Sequence, residues 1–156
     1  MRILMVCLGN ICRSPMAEGM LRTLAAEMGV ALEVDSAGTS HYHVGEAPDQ
    51  RAQAAMRRHG MDISMLRARQ LSPHDFDRFD LLLAMDAENL RNMRRLAPDA
   101  EHAKNARAIM DFAPEHPLRE VPDPYYGGDD GFDQVLEMLR MACTNLLRDP
   151  RITGGR

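Results

Sequence analysis

The apolar positions of this chain change period several times, and the changes mark out its elements. Ile3-Leu4-Met5-Val6-Cys7-Leu8 is an unbroken apolar run closed by Gly9-Asn10, which predicts a strand buried on both faces. After Ser14-Pro15 the spacing becomes helical: Met16, Ala17, Met20, Leu21, Leu24 and Met28 share one stripe, and Gly29 closes it. Ser14 as N-cap and Pro15 as first helical residue suit that start. Leu32-Glu33-Val34-Asp35 predicts a short second strand and residues 37–47 a loop. Pro48-Asp49 opens a second helix, with Ala52, Ala55, Met56 and His59 on its apolar face and Gly60 at its end. A helical turn is expected from Ser72-Pro73 through Phe76, and a third buried strand over residues 80–85. Asp86 caps a helix bearing Leu90, Met93 and Ala97, and Pro98 stops it. Residues 106–110 predict a fourth strand.

Residues 111–131 are rich in proline and glycine and read as one long loop, a kind that is usually functional inside a compact domain. Phe132, Val135, Leu136, Leu139, Cys143, Leu146 and Leu147 then define an amphipathic helix. Pro150 ends it and leaves residues 151–156 as a polar tail. Alternating strands and helices predict an α/β fold. The expected architecture is a single three-layer domain over residues 1–150, with a four-stranded parallel sheet and helices on both faces. Ligands bind such sheets outside the carboxyl ends of the strands, where the loop after the first strand lies.

Composition narrows the setting. The 156 residues are 45% hydrophobic and 27% charged, ordinary for a globular domain. A net charge of −4 argues against a nucleic-acid binder or a binder of anionic membranes. No apolar run approaches the ~20 residues of a membrane span. Three cysteines are an odd number, in a chain large enough to hold a core unaided. They read as free thiols in a reducing, cytoplasmic compartment.

The loop at residues 7–14 carries the chemistry. Cys7 ends the first strand, Arg13 opens the helix, and Gly9 and Asn10 lie between them, where left-handed backbone is tolerated. The backbone N–H groups of Leu8, Gly9, Asn10, Ile11, Cys12 and Arg13 can curl around one anion, with the helix N-terminus adding positive charge. The guanidinium of Arg13 can grip two phosphoryl oxygens in a planar fork. Arginine at a helix start opposes the dipole, so its presence there points to function. A positive cradle favours the thiolate of Cys7, placed for in-line attack on phosphorus. The nucleotide P-loop pattern is missing. Cys7 and Cys12 stand too far apart for a dithiol redox motif.

The segment from Val6 to Glu18 resembles the signature of the low molecular weight protein tyrosine phosphatases. Asp35-Ser36-Ala37-Gly38-Thr39 with Val44-Gly45, then Ala84-Met85-Asp86 with Asn89-Leu90, then Asp123-Pro124-Tyr125-Tyr126 agree in order and spacing. The likeness runs to about residue 148. It implies a phosphotyrosine phosphatase working through a cysteinyl phosphate, without cofactor or metal. Cys7 would be the nucleophile, Arg13 the phosphate clamp, and Asp123 the general acid and then base. Asn10, Ser14 and Ser36 match positions that support the loop. Tyr42, Tyr125 and Tyr126 would wall the site. One departure stands out: a histidine usual near Leu66 is absent, so the support of Asn10 is expected to be weaker.

The implied partner is a phosphotyrosine protein, a tyrosine kinase being one candidate, and the implied state is a monomer or weak dimer. Two other readings use the same cradle. An arsenate reductase needs further cysteines near the site, but the next after Cys12 is Cys143, in an expected core helix. A non-catalytic phosphate-binding module would be expected to lack Cys7 or Asp123. A phosphoarginine phosphatase tends to carry Thr where this chain has Ile11. Cys12 has two readings, a redox partner that protects Cys7 or a residue packed behind the loop. His41 and His43 have metal-like spacing, but no acidic or cysteine cluster completes a site.

Overall fold

The computed structural model describes residues 1–154. Four parallel strands form the sheet, in the order β2-β1-β3-β4. They are β1 (Arg2–Cys7), β2 (Glu33–Gly38), β3 (Leu81–Ala84) and β4 (Ala106–Ala108). The helices are α1 (Arg13–Met28), α2 (Gln50–Arg58), α3 (Asp75–Arg78), α4 (Ala87–Leu96), α5 (Ala100–Ala103), α6 (Asp129–Arg148) and α7 (Pro150–Thr153). A 3-10 turn covers Ile109–Phe112.

The unbroken apolar run of β1 is explained by its place in the middle. Ile3, Met5 and Cys7 point into a core shared with α1, α2 and α6, while Leu4 and Val6 meet Phe76, Leu82 and Met93 on the other face. Both faces are covered, so both sets of alternating side chains are apolar. Each fully buried side chain of this kind contributes about 1.5–3 kcal/mol. The chain leaves β1 for β2 on one side and later returns to β3 on the other. The carboxyl end of β1 is therefore the switch point of the sheet, and the residues after Cys7 occupy it.

Several boundaries differ from the sequence expectation. Strand β2 continues through Ser36-Ala37-Gly38, with Cys7 paired to Gly38. These small residues lack a strand pattern because they lie beside the loop after β1. A Cβ on Gly38 would come within 2.8 Å of the Leu8 carbonyl oxygen. Helix α1 begins at Arg13 with Cys12 as N-cap, so Ser14 is not the cap; its hydroxyl is engaged in the site. Gly29 closes α1 in the left-handed region as expected. His59 ends α2 exposed, not on the buried face. Pro150 opens α7, and within the expected polar tail Ile152 packs against the core. Residues 155–156 of that expected tail lie outside the described residues. Helix α5 was not foreseen, since its four residues are too few to show a period. Among the described residues, no helix is long and apolar enough to cross a membrane.

Candidate active site

Residues 7–13 wrap a small space at the end of β1. The loop's carbonyls are taken by donors behind it. Cys7 O accepts from Thr39 N–H (2.9 Å), Leu8 O from Ser40 N–H (2.9 Å), and Ile11 O from Asp49 N–H (2.8 Å). A peptide unit points its C=O and N–H in opposite directions, so carbonyls drawn outward leave N–H groups for the enclosed space. Cys7 is buried, with Sγ 3.0 Å from Ser14 Oγ and accepting the Asn10 N–H at 3.3 Å.

Asn10 is the one described non-glycine residue with positive φ, at 58°, a conformation that asparagine tolerates better than most residues. Its side chain holds it there. Nδ2 donates to Ser14 Oγ (2.8 Å) and Ser36 Oγ (3.0 Å), and Oδ1 accepts from the Arg69 N–H (3.0 Å). A backbone N–H can only donate, so the Arg69 contact fixes the amide orientation. Ser14 Oγ, accepting from Asn10, has one proton to give, and Cys7 Sγ at 3.0 Å and Ala37 O at 3.5 Å both lie within reach of it. Ser36 donates in turn to Glu18 Oε1 (2.7 Å), whose other oxygen accepts from Arg22 (2.7 Å). Burial pushes the Glu18 carboxyl above its ordinary range, against the pull of Ser36 and Arg22. Leu66 packs against the core, and Ser14, Ser36 and the Arg69 backbone brace Asn10.

Arg13 is buried, and Nη1 pairs with Asp86 Oδ2 at 2.6 Å while also donating to Val121 O at 3.0 Å. Burial works against its charge, but Cys7, Asp86 and Asp123 outweigh burial and hold the guanidinium above its ordinary value. Asp86 offsets the misplaced cation at the start of α1 and also caps α4 by accepting the Asn89 N–H (2.7 Å). Asp123 Oδ2 lies 3.7 Å from Arg13 Nη2. Its Oδ1 accepts the Tyr125 N–H at 3.0 Å.

Above this floor opens a cleft walled by Ile11, Tyr42, His43, Tyr125 and Tyr126. The tyrosines are not equivalent. Tyr125 is 38% exposed and packs against His43 and Tyr126, whereas Tyr126 is 90% exposed and stands at the rim. Cys12 is buried and lines the same cleft, and burial, then the charges of Asp49, Cys7 and Asp123, push its thiol up. Cys143 is fully buried far along α6, its thiol pushed up to about 12 by burial.

Residues 2–152 match the model of the family described as low molecular weight phosphotyrosine protein phosphatase. The chain belongs to that family. It is 45% identical over 150 residues to a low molecular weight protein-tyrosine-phosphatase of Streptomyces coelicolor, covering 94% of this chain and 91% of the relative. It superposes on a protein tyrosine phosphatase from Entamoeba histolytica, solved with Hepes in its active site. The TM-score is 0.91 at 36% identity, over 95% of each chain. A Drosophila arginine phosphatase also shares the fold, with a TM-score of 0.89 at 30% identity over 95% of this chain and 96% of the other.

Within this phosphatase the structure gathers Cys7, Arg13 and Asp123 in one pocket with the loop and the tyrosines. Asn10, Ser14 and Ser36 lie together behind it. Sequence reasoning missed the work of Asp86, because a good N-cap already accounted for it, and nothing local says that its second oxygen reaches Arg13. His43 was set aside as half of an incomplete metal pair. Its Nδ1 faces Glu46 at 3.0 Å, and its ring closes over Gly9, where a Cβ would meet it at 3.0 Å. Arg69 and Glu18 gave no readable signal for the site, since their contacts to its network, with Asn10 and Ser36, lie 59 and 18 positions away in the chain.

Proposed function

We propose that this phosphatase hydrolyses phosphotyrosine, and small aryl phosphates, through a phosphoryl group carried on Cys7. The observation that carries the reading is the placing of Cys7 Sγ between the Ser14 hydroxyl and the Asn10 N–H, with Arg13 and Asp123 3.7 Å apart on the same pocket. Two donors on one sulfur, with a buried guanidinium close by, favour the ionised form.

In the first step the Cys7 thiolate attacks phosphorus in line and the bond to the aryl oxygen breaks. Asp123 gives its proton to that oxygen, so a phenol leaves rather than a phenolate. Arg13 and the loop N–H groups hold the equatorial oxygens as charge builds on them. In the second step Asp123, now a carboxylate, takes a proton from water. The water oxygen attacks phosphorus, the S–P bond breaks, and phosphate leaves with the thiolate restored. Neither step requires metal or cofactor. The free thiols suit a reducing cytoplasm, and the substrate is a phosphotyrosine-bearing protein acted on by a monomer or weak dimer.

Tyr125 and Tyr42 offer flat faces to a phenyl ring, and Ile11 gives the wall an apolar surface. These favour phosphotyrosine over phosphoarginine, the substrate class named for the Drosophila neighbour. The arsenate reading lacks a thiol at the site beyond Cys7 and Cys12, since Cys143 is shut inside the core. The test compares release of phosphate from phosphotyrosine, phosphoserine and phosphoarginine peptides, with arsenate reduction as a fourth arm. Phosphotyrosine is expected to be the best substrate by kcat/KM. A preference for phosphoarginine, or arsenate turnover with a thiol reductant, would refute the assignment.

A further inference from the structure

The phosphate loop and the segment bearing Asp123 line one pocket, and besides Arg13 a pair of side chains joins them. Asp49 gives its N–H to Ile11 O of the loop (2.8 Å) and caps α2 by accepting the Arg51 N–H (2.8 Å). Its carboxylate also accepts from Arg51 Nε (3.2 Å) and Nη2 (3.1 Å). Burial works against the Asp49 charge, but the Arg51 donors prevail and hold the carboxyl below its ordinary range. Arg51 reaches on to the acid segment, donating from Nη2 to Tyr125 O at 2.9 Å and, at longer range, from Nη1 to Gly127 O at 3.4 Å. Its guanidinium lies over the Phe132 ring at 4.8 Å and the Tyr125 ring at 5.6 Å. Tyr125, gripped by its carbonyl, gives its N–H to Asp123. A continuous path therefore runs from Ile11 through Asp49, Arg51 and Tyr125 to the carboxylate of Asp123.

We propose that Arg51 is a positioning residue for the acid step, a strut seated on Asp49 that fixes Asp123 over the phosphate loop. Only a planar fork can serve Asp49, Tyr125 O and two aromatic faces at once, so lysine would be a poor substitute. The proposal rests on the reading of Asp123 as general acid. A proton donor displaced by about an ångström transfers poorly, and the loss shows where the leaving group most needs protonation.

The test measures kcat and KM over a series of aryl phosphates whose phenols range from strongly to weakly acidic. The proteins are the parent, Arg51→Met, Arg51→Lys, Asp123→Asn and Asp123→Asn/Arg51→Met. Arg51→Met should lower kcat about tenfold for the least acidic phenol and much less for the most acidic one. Arg51→Lys should restore only part of the loss. In the Asp123→Asn background the Arg51 change should cost less than about twofold, because nothing remains for it to position. Equal losses in both backgrounds, or losses blind to the leaving group, overturn the strut. If Arg51→Met does not fold, Arg51→Lys carries the same cycle. An Asp123→Asn protein with parental leaving-group dependence removes the acid assignment itself, and the strut with it.

Discussion

The phosphate loop and the acid segment face each other across one pocket, yet they are held in different ways. The loop is set by a buried polar network in which Asn10, Ser14 and Ser36 are all inaccessible and Asn10 alone makes three side-chain hydrogen bonds. The acid segment, residues 121–128, is mostly exposed. It is tied at its start by Val121, whose N–H reaches Met85 O (2.9 Å) and whose carbonyl receives Arg13. Farther on it is tied by Arg51. Buried polar groups that are fully paired hold one geometry stiffly, whereas exposed segments with few anchors open at low cost. A rigid floor and a looser acid suit the chemistry. On the proposed mechanism the oxygens of the phosphoryl group need the same cradle in every step, while the acid must let a substrate in and a phenol out.

The comparison makes sharp demands. Damage to the floor should impair every substrate alike, and damage to the acid segment should discriminate by leaving group. The largest effect is expected from Cys7→Ser, which should abolish turnover while phosphate binding and the melting curve stay near those of the parent, because a hydroxyl there is not ionised. Substantial aryl phosphatase activity in that protein would remove Cys7 as nucleophile. Arg13→Lys should cost several orders of magnitude in kcat, since a point charge cannot make the forked contact. The loss should be similar for good and poor leaving groups.

Asp123→Asn should lower kcat by about a hundredfold or more for weakly acidic phenols and far less for strongly acidic ones. A uniform loss would move Asp123 into the floor's class and break the contrast. Asn10→Ala removes three hydrogen bonds and leaves alanine at positive φ, so denaturant unfolding should show a loss of about 2–4 kcal/mol. An unchanged midpoint would show that the network is not what stiffens the loop. Cys12→Ser should scarcely affect the rate. After peroxide and then a thiol reductant, the parent should recover more activity than the variant if Cys12 captures the oxidised Cys7. Equal recovery leaves Cys12 as packing alone.

The two regions also differed in how much of them could be read from sequence. The floor was legible because its parts are local. Strand, glycine, asparagine, arginine and helix follow one another within residues 7–14, each with its own physical signal. Asp123 carried no such signal, because an aspartate before proline is an ordinary turn residue, and only resemblance to a family singled it out. Its meaning comes from Arg13, 110 positions earlier in the chain. Asp86, Glu18, Arg51 and Arg69 failed to show for the same reason. The end of β2 was missed for a related one. Gly38 lies where a Cβ would meet the loop backbone and Ser36 gives its hydroxyl to the loop's network, and those demands erased the strand pattern. The central strand and the long terminal helix were plain, since burial there leaves an uninterrupted period.

The account stands on a phosphoryl group passing through Cys7, and trapping it is the direct test. Asp123→Asn, which should slow attack by water, is mixed with the phosphate ester of a strongly acidic phenol, quenched in acid within the first turnover, and digested for mass analysis. The account predicts a stoichiometric burst of phenol and a phosphoryl adduct on the peptide that contains Cys7, absent when Cys7→Ser is combined with Asp123→Asn. A phosphoryl group on any other side chain, or phenol release without an adduct or burst at any quench time, would contradict it.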